Sequence, residues 1–323
     1  MTTNVVSSTP GFAPPKTEIA QHVVGDNVWL HDRNTDAEQE LMACISQPLN
    51  YEVLESEEVV GQTMFAELVN VAARKADDLT VVILGGRGGQ ALHRLLGEKA
   101  RTGEIDDLLG RMNVFTQDAL APMRMNNAFS FVRDFERLLG DSFFEKVKSF
   151  TSMKTDGEDL ETGLVSFIEQ LDSCGSIDIL FLGLGPEAEG ASHLAYIKPG
   201  SGARANDIAG LIPISQDILE HHVRKFKVGG AATSEADEAE CRRASHILTL
   251  GPAPILRAKR IVQSIVDAAT APGKVASFDR LIKTEISHEP SARAQQVDQN
   301  PGLWIRLNAN VRSLILPDVL GAN

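Results

Sequence analysis

The feature that most constrains this chain is a six-residue apolar run at 79–84, LTVVIL, which ends in GGRGG and leads into a helical stretch at 90–99. The run is too short for a helix and rich in β-branched residues, so it reads as a strand buried on both faces. The pattern recurs. IDILFL at 177–182 predicts a second buried strand, and 112–115 and 247–250 predict two shorter ones. Helical spacing of apolar residues predicts helices over 57–75, 126–139, 160–171, 235–245 and 255–270. Two short strands, 303–307 and 311–316, are expected to close the chain. Strand, loop and helix in alternation specify an α/β fold: a doubly wound, mostly parallel sheet with helices on both faces. This domain is expected over 51–323. Residues 1–50 are read as a Thr-, Ser- and Pro-rich flexible tail to about residue 18, then an extension carrying one short helix at 35–46.

Charge and cysteine usage narrow the function. The chain has 44 acidic and 31 basic residues, a net charge of −13. Binding to a nucleic-acid backbone needs a basic face, and anionic membranes offer such a chain no attraction. No apolar run approaches the roughly 18 residues of a membrane helix. The first residues lack the basic start and apolar core of a signal peptide. Cys44, Cys174 and Cys241 lie far apart, with no CxxC pair. That usage fits a reducing cytoplasm, and no metal-ligand cluster is apparent.

In open α/β sheets, ligands sit beyond the carboxyl ends of the strands. That rule selects three loops. The first holds Gly85, Gly86, Arg87, Gly88, Gly89 and Gln90. Glycines at a strand–helix junction bring backbone N–H groups to an anion, and Arg87 could bind a phosphate; the alternative is a plain tight turn. The second, 116–122, carries Asp118, either a general base or a helix N-cap. The third, 183–202, is rich in Gly and Pro. It carries His193, a proton-transfer candidate or a surface histidine, with Glu187, Glu189 and Lys198; Arg204 follows it. The HHVRKFK run at 221–227 is either a metal or phosphate patch or a solvated basic face; adjacent histidines point to different faces of regular structure, so the solvated face is the default reading. Cys241, beside two arginines, reads as a buried inert thiol ahead of a reactive one.

Taken together, LGGRGGQAL, VFTQDAL, GLGPEAEGASHLAYIKPGS and SHILTLGPAPILRAKRIVQSIV resemble, in order and spacing, the glucosamine-6-phosphate deaminase/isomerase family and its relative 6-phosphogluconolactonase. The resemblance runs from about residue 51 to 316. It implies that Asp118 is the proton-transfer base, that His193 opens the sugar ring, and that the 85–89 loop holds a phosphate. Glu187 or Glu189 would match the family acid. The implied ligand is a phosphorylated or otherwise anionic sugar, with no cofactor and no metal; a homo-oligomer stays open. The departures are specific. Gly89 and Gln90 replace hydroxyl residues of the phosphate loop, and Pro254 stands where the family has a phosphate-binding lysine. Lys198 replaces a glutamate that partners the histidine. The lactonase Asp-Glu-Arg is missing, because Ala119 and Leu120 follow Asp118. Three functions follow: an isomerase or deaminase moving a proton between C1 and C2, a lactonase-like hydrolase with His193 activating water, or a non-catalytic sugar-phosphate binder. By like-charge repulsion, Lys198 is expected to lower the basicity of His193.

Overall fold

The computed structural model describes residues 17–321; residues 1–16, most of the expected tail, lie outside the described residues. The frame is a seven-stranded sheet in the order Tyr51–Val53, Val311–Ile315, Ile261–Ile265, Ile179–Leu182, Leu79–Ile83, Met112–Thr116, Ser149–Thr151. Every neighbouring pair in it is parallel. The chain starts outward from Leu79–Ile83 in one direction and returns to Ile179–Leu182 on its other side. This reversal places a topological switch point between those two strands, where a cleft opens at their carboxyl ends.

Alternate residues of the same strands feed two cores. Val82, Leu180 and Leu182 join one, with Leu164, Phe167, Ile168 and Leu171 from the Leu160–Ser173 helix. Val81, Ile83, Ile179 and Phe181 join the other, with Val60, Met64 and Leu68 from the Glu57–Ala73 helix and Leu92 and Leu96 from the Arg87–Thr102 helix. Helices therefore cover both faces, as the continuous apolar character of the strands requires. Ser56 and Ser130 fix two of the helix starts by accepting backbone N–H bonds from Val59 and Val132.

A second, antiparallel sheet was not foreseen. Its order is Ile19–Val24, Asn27–Asp32, Asp207–Pro213, His246–Leu250, Asp118–Ala121. Residues 19–32 form its outer hairpin, and Trp29 is fully buried against Gly210, where any Cβ would clash with the indole. The helix expected at 35–46 is Ala37–Ala43, capped by Asp36.

Several element expectations are corrected. The helix expected at 126–139 begins later, at Phe131. The stretch at 255–270 is not one helix: it is a short helix, Pro252–Arg257, then the buried parallel strand Ile261–Ile265. Residues Ile261, Val262 and Ile265 fit helical spacing as well as a two-sided buried strand. The strand expected at 303–307 is a 3-10 helix, Pro301–Leu307. No helix among the described residues is long and apolar enough to cross a membrane.

Candidate active site

The cleft at the switch point is lined by residues of all three selected loops: Gly85, Arg87 and Gly88 from the first, Asp118 from the second, His193 and Tyr196 from the third. Asp118 is the first residue of the Asp118–Ala121 strand, not a helix cap; it pairs with Thr249 across the antiparallel sheet. It sits where the chain leaves one sheet for the other. The residue is 4% exposed, and its Oδ1 has no hydrogen-bond partner. Burial pushes its carboxyl up to about 7 against the downward pull of Lys225. A carboxyl poised there can take and return a proton near neutral pH.

His193 comes from a two-residue hairpin, Ser192–His193 against Gly185–Pro186, with His193 directly opposite Gly185. A Cβ at Gly185 would lie inside the imidazole, so this glycine is what lets the ring settle on the loop. Glu187 faces the ring, its Oε1 2.6 Å from Nδ1. With Nδ1–H donating to Glu187, Nε2 is left as the proton acceptor. Tyr196 stacks on the other side, centroids 5.0 Å apart and rings 12° from parallel. Ala195 and Tyr196 hold left-handed backbone, φ 48° and 62°, within a tight turn closed by Leu194 and Ile197. Such conformations cost about 1–2 kcal/mol per non-glycine residue and here place the ring on His193.

The loop thus resolves which acid faces the histidine. Glu187 does; Glu189 lies exposed in the Ala188–Gly190 turn. Lys198 does not confront His193 with a bond of its own: its Nζ donates to the Pro213 carbonyl at 2.6 Å. Arg204 is exposed, and it is engaged through its backbone, the N–H donating to the Asp207 carboxylate and the carbonyl accepting from the Asp207 N–H. Neither lines the cleft. In the glycine loop, Gly86 (φ 75°) caps the Arg87–Thr102 helix without a side-chain bond. Arg87 is already committed, donating from Nε and Nη2 to Glu57 Oε1 at 3.0 and 2.6 Å. Gly89 is buried in the first turn against His93, and the Gln90 amide turns to Asp134.

The HHVRKFK run is not a solvated face. His221 and Lys225, four residues apart on the Gln216–Val228 helix, both line the cleft. His222 and Phe226, on the adjacent stripe, are buried; His222 donates to the Phe129 carbonyl at 2.8 Å. Lys225 Nζ occupies the space a side chain at Gly86 would need, and it lies 5.3 Å above the centre of the Phe131 ring. Burial lowers its affinity for a proton, while Asp267, Asp118 and Asp134 act through space to raise it. Burial and the neighbouring Lys225 and Lys274 push His221 down to about 4, so it is neutral at pH 7. Lys274 pairs with Asp267 at the cleft wall. Burial alone would raise the Asp267 carboxyl, but Lys274, Lys225 and His221 hold it below its ordinary value. Ser264 Oγ is buried without a partner beside Gly88. The cleft is therefore cationic around the glycine loop, with a helix N-terminus and a free hydroxyl in the same wall. That is the chemistry of an anion site.

Sequence reasoning set Lys225 and His221 aside as a solvated face and missed Lys274, Asp267, Ser264 and Tyr196. The i, i+4 spacing of His221 and Lys225 was the available signal for the first two. Cys241, by contrast, is fully buried, and burial drives its thiol up to about 12.

If Glu187 is the acid that orients His193, Glu187→Gln should lower kcat at least tenfold and reshape its pH profile. Glu189→Gln should stay within about twofold. Steady-state kinetics of the two variants on the same substrate checks the difference.

No family model matches the sequence, and no curated protein matches it. Solved structures do. A monomeric glucosamine-6-phosphate deaminase aligns with a TM-score of 0.64 at 17% identity, covering 85% of this chain and 100% of that one. The 6-phosphogluconolactonase from Trypanosoma cruzi gives 0.61 at 13% identity over 86% and 98%. The 6-phosphogluconolactonase from Thermotoga maritima gives 0.58 at 15% over 83% and 99%. The chain shares the α/β fold of these deaminases and lactonases.

Proposed function

We propose that the protein is an enzyme acting on a phosphorylated sugar, moving a proton between C1 and C2 of the opened ring in the manner of an aldose–ketose isomerase or deaminase. The observation that carries this reading is Asp118: a buried carboxyl raised to about 7, with a free oxygen, in the cleft that also holds His193. His193, oriented by Glu187, would relay the proton that passes from the C1 hydroxyl to the ring oxygen as the ring opens. Asp118 would then take the C2 proton and deliver it to C1. Lys225, the Arg87–Thr102 helix N-terminus and Ser264 would hold the phosphate. Glu187 supplies the carboxylate that Lys198 displaced from its expected position, which supports catalysis over binding alone. The proposed setting is the cytoplasm, where sugar phosphates are found.

The His193–Glu187 couple also supports a second reading, in which Nε2 accepts a proton from water attacking a lactone carbonyl. Asp118→Asn separates the two: proton transfer at carbon is lost with the base, whereas lactone hydrolysis by His193 survives. The direct experiment is incubation with glucosamine 6-phosphate, other hexose 6-phosphates and 6-phosphogluconolactone, with product analysis.

The base must be ionised to act. On the isomerase reading, kcat/KM should rise with pH through a limb near 7, because that profile reports the free enzyme. An acid limb near the ordinary carboxylate value of 3.8 would remove Asp118 from this role.

A further inference from the structure

The antiparallel sheet assembles a second cluster that no spacing in the sequence announces. In the outer hairpin, Ala20 pairs with His31 and His22 with Trp29, so His22 and His31 are diagonal neighbours on one face. Across the other side, Asp207 pairs with His31 and joins that face. The two imidazole centroids are 5.6 Å apart. One donor atom from each of the three residues lies within 4.8 Å of the others. None of the three lines the cleft.

We propose that His22, His31 and Asp207 form a binding site for a divalent transition-metal ion of the zinc class, which fastens the N-terminal hairpin to the Asp207–Pro213 strand.

Four observations carry this. The Asp207 side chain is completely buried, and its two carboxylate oxygens lie 3.0 and 3.1 Å from His22 Nε2. Ligands about 2.0–2.2 Å from a tetrahedral ion are themselves roughly 3.3 Å apart, so this pair is already spaced as two corners of such a site. A hydrogen bond between His22 and Asp207 occupies only one of the four imidazole nitrogens. His22 Nδ1 and His31 Nδ1 are both buried without a partner, a cost that a ligating ion would relieve at His31. Finally, the Arg204 backbone N–H donates to Asp207 Oδ2 at 2.6 Å, fixing the carboxylate as outer-shell bonds fix metal ligands.

The donor set chooses the ion. Two imidazoles and one carboxylate, with no thiolate, suit Zn²⁺ and its neighbours Co²⁺ and Ni²⁺ over Ca²⁺ or Mg²⁺, which prefer all-oxygen shells. Three protein ligands leave a fourth position for water. Because the ligands span the outer hairpin and an inner strand, binding selects the docked hairpin and stabilises the folded chain.

The test uses the untagged full chain, stripped with a chelator. Calorimetric titration with ZnCl₂ should show one equivalent bound and a rise in Tm. Co²⁺ should produce the visible bands of a four-coordinate ion, and Zn²⁺ should displace them. His22→Ala and His31→Ala, both at partly exposed positions, should each weaken binding at least about 100-fold. They should also erase the cobalt bands while leaving turnover in the cleft intact. Asp207→Asn should do the same if it folds; if it does not, the two histidine variants decide. Absence of stoichiometric binding in the wild-type protein, or histidine variants that bind Zn²⁺ as the wild type does, would overturn the site.

Discussion

Asp118→Asn is expected to lower turnover by about 10²–10⁴, the contribution general-base catalysis typically makes, and to make the protein more stable. Both effects come from one cause. The carboxyl is buried where ionisation is costly, so its folded value of about 7 exceeds the ordinary 3.8. Between those values the folded chain holds a proton that the unfolded chain has released. Stability therefore falls as pH rises through the window and stays lower above 7. Three units correspond to roughly 4 kcal/mol at most. Asn cannot ionise, so the variant should match the wild type at acid pH and exceed it above neutrality. Denaturant unfolding on either side of the window, beside kinetics, reads both effects. Activity within tenfold of wild type, or a stability gain independent of pH, would show that Asp118 is not a base held in a costly state.

The second large effect belongs to Lys225. Lys225→Met keeps the length of the stem over Phe131 and removes the ammonium beside Gly86. A charge-assisted bond to phosphate contributes about 1.5–3 kcal/mol, so KM for a phosphorylated substrate should rise roughly 10- to 100-fold. The unphosphorylated sugar should be little affected. Lys225 also draws the Asp118 carboxyl downward, so the same variant should move the limb of the pH profile upward. Arg87→Ala should cost less, because Glu57 already engages that guanidinium. A rise in KM without a shift of the limb would show that Lys225 meets the phosphate but is not coupled to Asp118.

Much of this arrangement was legible because it rests on periodicity and punctuation. LTVVIL and IDILFL are buried strands with nothing polar but Thr80 and Asp178, and the loops after them carry the cleft. Asp118, His193 and the glycine loop could be located from strand ends alone. The antiparallel sheet could not. Its strands NVWLHD and DIAGLIP mix polar residues, glycine and proline, because one depends on Gly210 to admit Trp29 and another on Asp207 for its buried contacts. Ser264 and Asp267 were hidden by the helical reading of 255–270: once Ile261–Ile265 is a strand, the residues at its carboxyl end fall into the cleft. Lys225 was hidden by its neighbours. Within RKFK only the fold decides which ammonium faces inward, and Arg224 and Lys227 are exposed.

The outer hairpin has a consequence for solubility. It lies along the Asp207–Pro213 strand, which it pairs on one side while His246–Leu250 pairs it on the other. Without residues 19–32 that strand would become a sheet edge with unpaired N–H and C=O groups, bordered by the trough Trp29 leaves at Gly210. Open edges of this kind recruit strands from other molecules. A chain trimmed to begin after Asp32 should therefore self-associate, visible as a concentration-dependent rise in light scattering, even though the parallel sheet and most of the cleft are untouched. In the full chain the terminal strand is the short Ile19–Val24, bounded by Gly25. On this expectation the hairpin at 19–32 acts as a guard that keeps the Asp207–Pro213 strand from pairing with other molecules.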